Sequence, residues 1–184
     1  DLIVVFAMTD TAKGYYGGVT AFLVDKGTPG FQVSQKFEKM GLRTSPLGEL
    51  VFQDVFLPKE AVLGEVGAGS TIFTHAMDWE RICLFASQVG TMERLFEKSM
   101  GYARTRTQFN QPISKFQAIS HRIVDMKVRL EAARLLIYKA ASMLGRKKTV
   151  SMDASVAKLF VSESPVKTAL DTVQVFGGYG FNTE

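Results

Sequence analysis

The chain has 184 residues, with 22 Lys and Arg against 18 Asp and Glu, for a formal net charge of +4. A hydrophobic fraction of 46% beside 22% charged residues excludes intrinsic disorder and provides for one large domain or two small ones. The single cysteine, Cys83, excludes an internal disulfide and a cysteine-rich metal site, and polar residues such as Asp10 and Lys13 break each apolar run before it reaches bilayer length. A basic surface suits anionic ligands. Nucleic acid is not expected as a partner, because no basic motif is interleaved with aromatics.

The first third reads as β. Ile3–Met8 is apolar and β-branched, and Asp1–Met8 reads as a strand with an edge open for pairing, not as a leader peptide. Gly14, Gly17 and Gly18 introduce a second strand, Val19–Val24. A turn at Gly27-Thr28-Pro29-Gly30 precedes Phe31, Val33 and Gln35, which alternate with polar partners. A further strand is expected over Glu49–Leu57, closed by Pro58. Short strands between Gly/Pro turns give part of a sandwich or barrel, too few to close one.

From residue 67 onward the period changes to that of helices. Ile119, Ile123, Met126, Leu130, Ala133, Ile137, Ala140 and Leu144 recur in steps of three and four and form one stripe. Arg122, Lys127, Glu131, Arg134 and Lys139 fall off it, as on a bundle helix. Its partners are predicted over about Ser70–Arg106 and Ser151–Phe176. Arg146-Lys147-Lys148 reads as a solvated helix end, where cations complement the dipole. Asp153 supplies a negative charge to the start of the last helix, and Pro165 predicts a kink within it.

The last helical pattern runs into Gln174-Val175-Phe176-Gly177-Gly178-Tyr179-Gly180-Phe181-Asn182-Thr183-Glu184. Glycines there cap a helix and let another group approach the backbone. The string Gln-x-x-Gly-Gly-x-Gly-Phe-x-x-Glu resembles a signature of the acyl-CoA dehydrogenase family. Other strings in matching order resemble it too: Lys39-Met40-Gly41-Leu42-Arg43-Thr44-Ser45, Glu49-Leu50-Val51-Phe52-Gln53-Asp54-Val55, Tyr102-Ala103-Arg104-Thr105-Arg106-Thr107-Gln108-Phe109 and Phe116-Gln117-Ala118-Ile119. The resemblance implies an α+β fold, with a partial antiparallel middle β-domain over 1–66 and an antiparallel helical bundle over 67–184. It also implies a fragment, whose parent carries an N-terminal helical domain upstream and a further helix and loop downstream.

The same resemblance implies FAD and an acyl thioester, on CoA or on a carrier protein, as cofactor and substrate. The reaction implied is α-proton abstraction by a carboxylate with β-hydride transfer to the flavin. Electron-transfer flavoprotein or oxygen is the implied acceptor, and a homo-oligomer, dimer or tetramer, the implied assembly. The implied compartment is the cytoplasm, or the mitochondrial matrix in a eukaryote. Most members of the family keep their base in a loop beyond the glycine signature. A minority place it on the first bundle helix just before an Arg, which here makes Glu80 the candidate within Met77-Asp78-Trp79-Glu80-Arg81-Ile82. Asp78 and Arg81 match positions at the mouth for the thioester arm. Arg106, Gln108, Phe109, Gln117, Gln174, Gly177 and Gly178 match positions that hold flavin, several of them the ADP part of a neighbouring subunit's FAD.

Each assignment has a plainer reading beside it. Glu80 is otherwise a surface helix residue paired with Arg81 or a neighbour. Asp78 and Arg81 are otherwise helix-surface charges, Arg106 a solvated helix end and Gln117 a polar helix start. Cys83, after Ile82 in an apolar stretch, reads as core. His75 and His121 lack acidic or cysteine companions, so no metal is expected. Ser45 and Ser87 lack a base pattern, and Gly14-x-x-Gly17-Gly18 lacks the strand–helix setting of a nucleotide loop. A non-catalytic helical interaction module is the alternative function of a different class.

Overall fold

The computed structural model describes residues 2–146 and 150–183. Two units divide the chain, Asp1–His75 and Ala76–Glu184. The first is built on β1 (Leu2–Met8) and β2 (Val19–Asp25), antiparallel from Leu2 opposite Asp25 to Met8 opposite Val19. Next come β3 (Phe31–Phe37), β4 (Leu47–Phe52) and β5 (Val62–Leu63). The sheet order is β1-β2-β5, and β3 and β4 form a separate hairpin. Being central, β2 is the buried strand, with Val19, Thr20, Ala21 and Val24 in its interior. The buried Thr20 hydroxyl is satisfied by Thr9 Oγ1 at 2.7 Å and by the Gly67 N–H at 2.9 Å.

As expected for an edge, β1 alternates half-buried and exposed residues, leaving Leu2, Val4, Phe6 and Met8 outward. The expected strand over 49–57 is shorter than its composition implied. It ends at Phe52, because Asp54 turns the chain with a φ of +51° that a ladder does not tolerate. The hairpin shifts register between Val33 and Gln35, where Ser34 donates to Glu49 Oε2 at 2.6 Å. Phe31 and Phe52 stack across it, centroids 4.8 Å apart.

Three long helices follow: α1 (Gly69–Thr105), α2 (Gln117–Met143) and α3 (Ser151–Phe176). Within the second unit they share one core, in which Ile82, Val89 and Met92 of α1 meet Leu130, Ala133, Ile137 and Ala140 of α2 and Ala154, Ala157 and Val161 of α3. Fully burying each large apolar side chain contributes about 1.5–3 kcal/mol. The four fully buried alanines permit close approach of α2 and α3. Of the predicted stripe, the six residues from Ile123 to Ala140 are buried, and Ile119 and Leu144 at its two ends are half-buried.

Asp171 of α3 pairs with both Arg122 and Arg129 of α2, and Arg134 bridges Glu93 and Glu131. Asp153 lies in the first turn of α3 and also pairs with Lys139 at 3.0 Å. The helix continues through the buried Pro165 to Phe176. Arg146 follows the end of α2, whereas Lys147 and Lys148 of the predicted basic end lie outside the described residues. Cys83 is exposed, not core. It follows Ile82 but lies about 100° further round α1, off the inner face that carries Phe85 and Val89. Among the described residues no helix is long and apolar enough to cross a membrane.

Candidate functional site

The C-terminal ends of α1 and α3 come together around one cleft of about 450 Å³. At the α1 side, the Arg106 N–H donates to Tyr102 O at 2.8 Å, and Arg106 O accepts from the Ile113 N–H at 2.9 Å. Between these bonds the chain doubles back through β6 (Thr107–Gln108) and β7 (Gln111–Pro112). Phe109 and Asn110 make the two-residue turn, with φ of +51° and +62°. Positive φ at both centres fits a type I′ hairpin, but Phe is an uncommon residue there. Its ring is 86% exposed and stands edge-on to Phe116 at 6.0 Å.

At the α3 side the helix is stopped by Gly177, whose φ is +61° and whose N–H bonds to Gln174 O and Val173 O. A tight turn, Gly177–Gly180, follows. Gly180 is required by space, since a Cβ there would stand 2.6 Å from Val173 O. Gly178 is different. Its φ is not positive and a Cβ would meet nothing within 4 Å, so neither backbone nor packing demands glycine. Open backbone beside a cleft is what a closely approaching ligand uses.

Aromatic rings line the rest. Tyr102 and Phe176 stack at 4.4 Å with 17° between their planes, and the Arg106 guanidinium lies 5.6 Å from the Tyr179 ring centroid. Arg106 is the sole charged side chain among the described residues that line the cleft. The lining therefore offers one cation, the Gln108 and Asn182 amides, open glycine backbone and flat apolar surface. Those are the groups that suit a phosphate-bearing heterocycle.

Of the seven predicted flavin residues, Arg106, Gln108, Gly177 and Gly178 line the cleft. Phe109, Gln117 and Gln174 do not. Gln117 opens α2 and Gln174 sits in the last turn of α3, both exposed. Tyr102, Phe176 and Tyr179 line the cleft without having been singled out. Their one sequence signal is aromatic residues at two helix ends that also carry Arg106 and the glycines.

Glu80, Asp78 and Arg81 lie far from this cleft. At about 1.5 Å per residue, Glu80 is about 33 Å from Tyr102 along α1. Glu80 is exposed, and its carboxylate has no hydrogen bond or ion pair among the described residues. It stands about 200° round the helix from both Asp78 and Ile82, which are buried. The expected alternative, a pair with Arg81, does not form, because Arg81 donates to Ser155 Oγ at 3.3 Å. Asp78 is buried and accepts from Ser151 Oγ at 2.7 Å, so it is not a surface charge. No group of three or more His, Cys, Asp or Glu among the described residues could hold a metal.

Two family descriptions match the chain: the acyl-CoA dehydrogenase middle domain over residues 1–55, and the acyl-CoA dehydrogenase C-terminal domain over residues 67–184. The chain is 44% identical to a short-chain specific acyl-CoA dehydrogenase of Megasphaera elsdenii, across 100% of this chain and 48% of that protein. Among solved structures it is similar to the prolyl acyl carrier protein oxidase AnaB, with a TM-score of 0.93 and 42% identity over 100% of this chain and 48% of AnaB. It is also similar to PigA with FAD and proline, with a TM-score of 0.93 and 40% identity over 99% of this chain and 47% of PigA. The chain thus spans about half the length of the relatives it matches. With both descriptions matched in order and the helical unit, hairpin and glycine turn in place, the chain belongs to the acyl-CoA dehydrogenase family.

Proposed function

We propose that the protein carrying this chain is an FAD-dependent enzyme that dehydrogenates an acyl thioester, borne on CoA or on a carrier protein, between its α and β carbons. Residues 1–66 and 67–184 act in this reading as parts of the middle and C-terminal domains. Glu80 is the base: its carboxylate takes the α-proton, and the electron pair left on the α-carbon forms the double bond as hydride leaves the β-carbon. FAD, when bound, would supply the hydride acceptor, with electron-transfer flavoprotein or oxygen as the onward acceptor. Arg106 would hold the pyrophosphate, the Gln108 amide would bond the nucleotide, and open backbone at Gly178 would let it approach closely.

One observation carries the reading: the two groups of residues are about 33 Å apart along one helix. That is farther than one extended dinucleotide reaches. The cleft therefore serves the ADP half of a neighbouring subunit's FAD, while Glu80 serves the flavin of its own subunit, and the enzyme is a homo-oligomer. Substrate-driven flavin reduction in E80Q tests the base, since Gln matches Glu in shape but is not a base. Reduction at the wild-type rate would remove Glu80 from the chemistry.

A further inference from the structure

The positions flanking Glu80 are tied to the start of α3. Asp78 is 5% exposed, and its Oδ2 accepts a hydrogen bond from Ser151 Oγ at 2.7 Å. Arg81 donates to Ser155 Oγ at 3.3 Å. Residues three and four apart share a helix face, so Asp78 with Arg81 and Ser151 with Ser155 join one turn of α1 to the first turns of α3. The second oxygen of Asp78, Oδ1, is buried with no hydrogen-bond partner among the described residues.

A buried carboxylate short of a partner costs stability, and an apolar side chain at this inner position beside Ile82 would avoid that cost. Packing alone therefore does not account for Asp78. What the carboxylate adds is direction. An apolar contact tolerates a small rotation of α1 about its axis, but a short hydrogen bond to one hydroxyl does not. Glu80 lies on the far side of the same turn, so any such rotation swings it sideways. On a helix of about 6 Å outer radius, a turn of about 10° moves a side-chain tip by about 1 Å. A misplacement of about 1 Å can slow a reaction by about 100-fold.

We infer that Asp78, held by Ser151, is a positioning residue that fixes where Glu80 points. Arg81 on Ser155 is the weaker second tie. The inference rests on the reading of Glu80 as base.

Stopped-flow reduction of the FAD-loaded enzyme by butyryl-CoA or a prolyl-loaded carrier protein, whichever reduces the wild type, tests it. S151A should lower the reduction rate constant by about 10- to 100-fold with the substrate dissociation constant unchanged. S151T, which keeps the hydroxyl, should restore the rate, and D78A/S151A should be no slower than D78A. A weaker substrate affinity in D78A beside wild-type behaviour in S151A would put Asp78 on the substrate and overturn the inference. A fall in thermal stability with unaltered rate constants would overturn it equally. E80Q separates the two failures: wild-type reduction there removes the base reading and the latch together, whereas an inactive E80Q beside a wild-type S151A removes the latch alone. If D78A does not fold, the comparison of S151A with S151T decides.

Discussion

The two ends of α1 are built differently. Toward Thr105 the helix runs into a strained two-residue hairpin and meets a glycine-terminated partner, so a cleft forms from loops, rings and open backbone. Toward Gly69 the candidate chemistry is one exposed carboxylate, with two neighbours that turn inward to hold α3. Binding a large ligand needs many groups and special backbone, which leave marks in the fold. A general base needs one correctly aimed group. What the contrast teaches is that the first kind of site can be recognised from its architecture, and the second through whatever fixes its aim.

Substitutions at either end should separate these roles. E80Q has the largest expected effect, a loss of about 100- to 10,000-fold in substrate-driven flavin reduction with FAD still bound. Wild-type reduction in that variant would break the comparison at once. R106A should do the opposite, weakening FAD retention by about 10- to 100-fold, as expected for loss of about 1.5–3 kcal/mol from a charge-assisted hydrogen bond. Its reduction rate at saturating FAD should stay near wild type, and a collapse there would bring Arg106 into the chemistry.

The glycine turn can be divided further. G180A should cost roughly 1–3 kcal/mol of stability, because its Cβ has no room beside Val173 O. G178A should change stability by no more than about 0.5 kcal/mol yet loosen FAD, since the space it enters is open. Equal melting temperatures for the two variants would deny the distinction. The smallest effect lies away from both ends. The Glu131 carboxyl is held below its ordinary value of 4.5, first by the hydrogen bond from Lys127 and then by the charges of Lys127 and Arg134. A depressed folded-state pKa stabilises above the unfolded value and stops doing so as pH falls through the folded one. The Tm difference between wild type and E131Q should therefore be small at neutrality, shrink in acid below pH 4.5 and shrink with salt. A constant difference across that range would refute it.

Much of the fold was legible because it is periodic. The stripe from Ile123 to Ala140 follows from steps of three and four, and β1 and β2 from β-branched runs. Strand length beyond Phe52 was not, because the left-handed turn at Asp54 is a backbone event that an apolar composition conceals. Cys83 was misplaced because an apolar neighbourhood in sequence says nothing of azimuth on a helix. At the cleft, glycines and Arg106 announced themselves by residue type, whereas Tyr102 and Phe176 belong to the site through a stacking contact across α1 and α3. Glu80 carries no local signal at all. Nothing in an exposed glutamate distinguishes a base from a solvated charge, and resemblance alone singled it out.

The central claim is that the two ends of α1 serve two different flavins in an oligomer. Mixing subunits tests it directly. At limiting FAD, where R106A loses its cofactor and E80Q lacks its base, subunits of the two variants should recover activity when dissociated and reassembled together, because an R106A subunit then keeps its own Glu80 while an E80Q neighbour supplies an intact Arg106. Mixtures that stay as inactive as the separate variants would place both residues on one flavin and contradict the account.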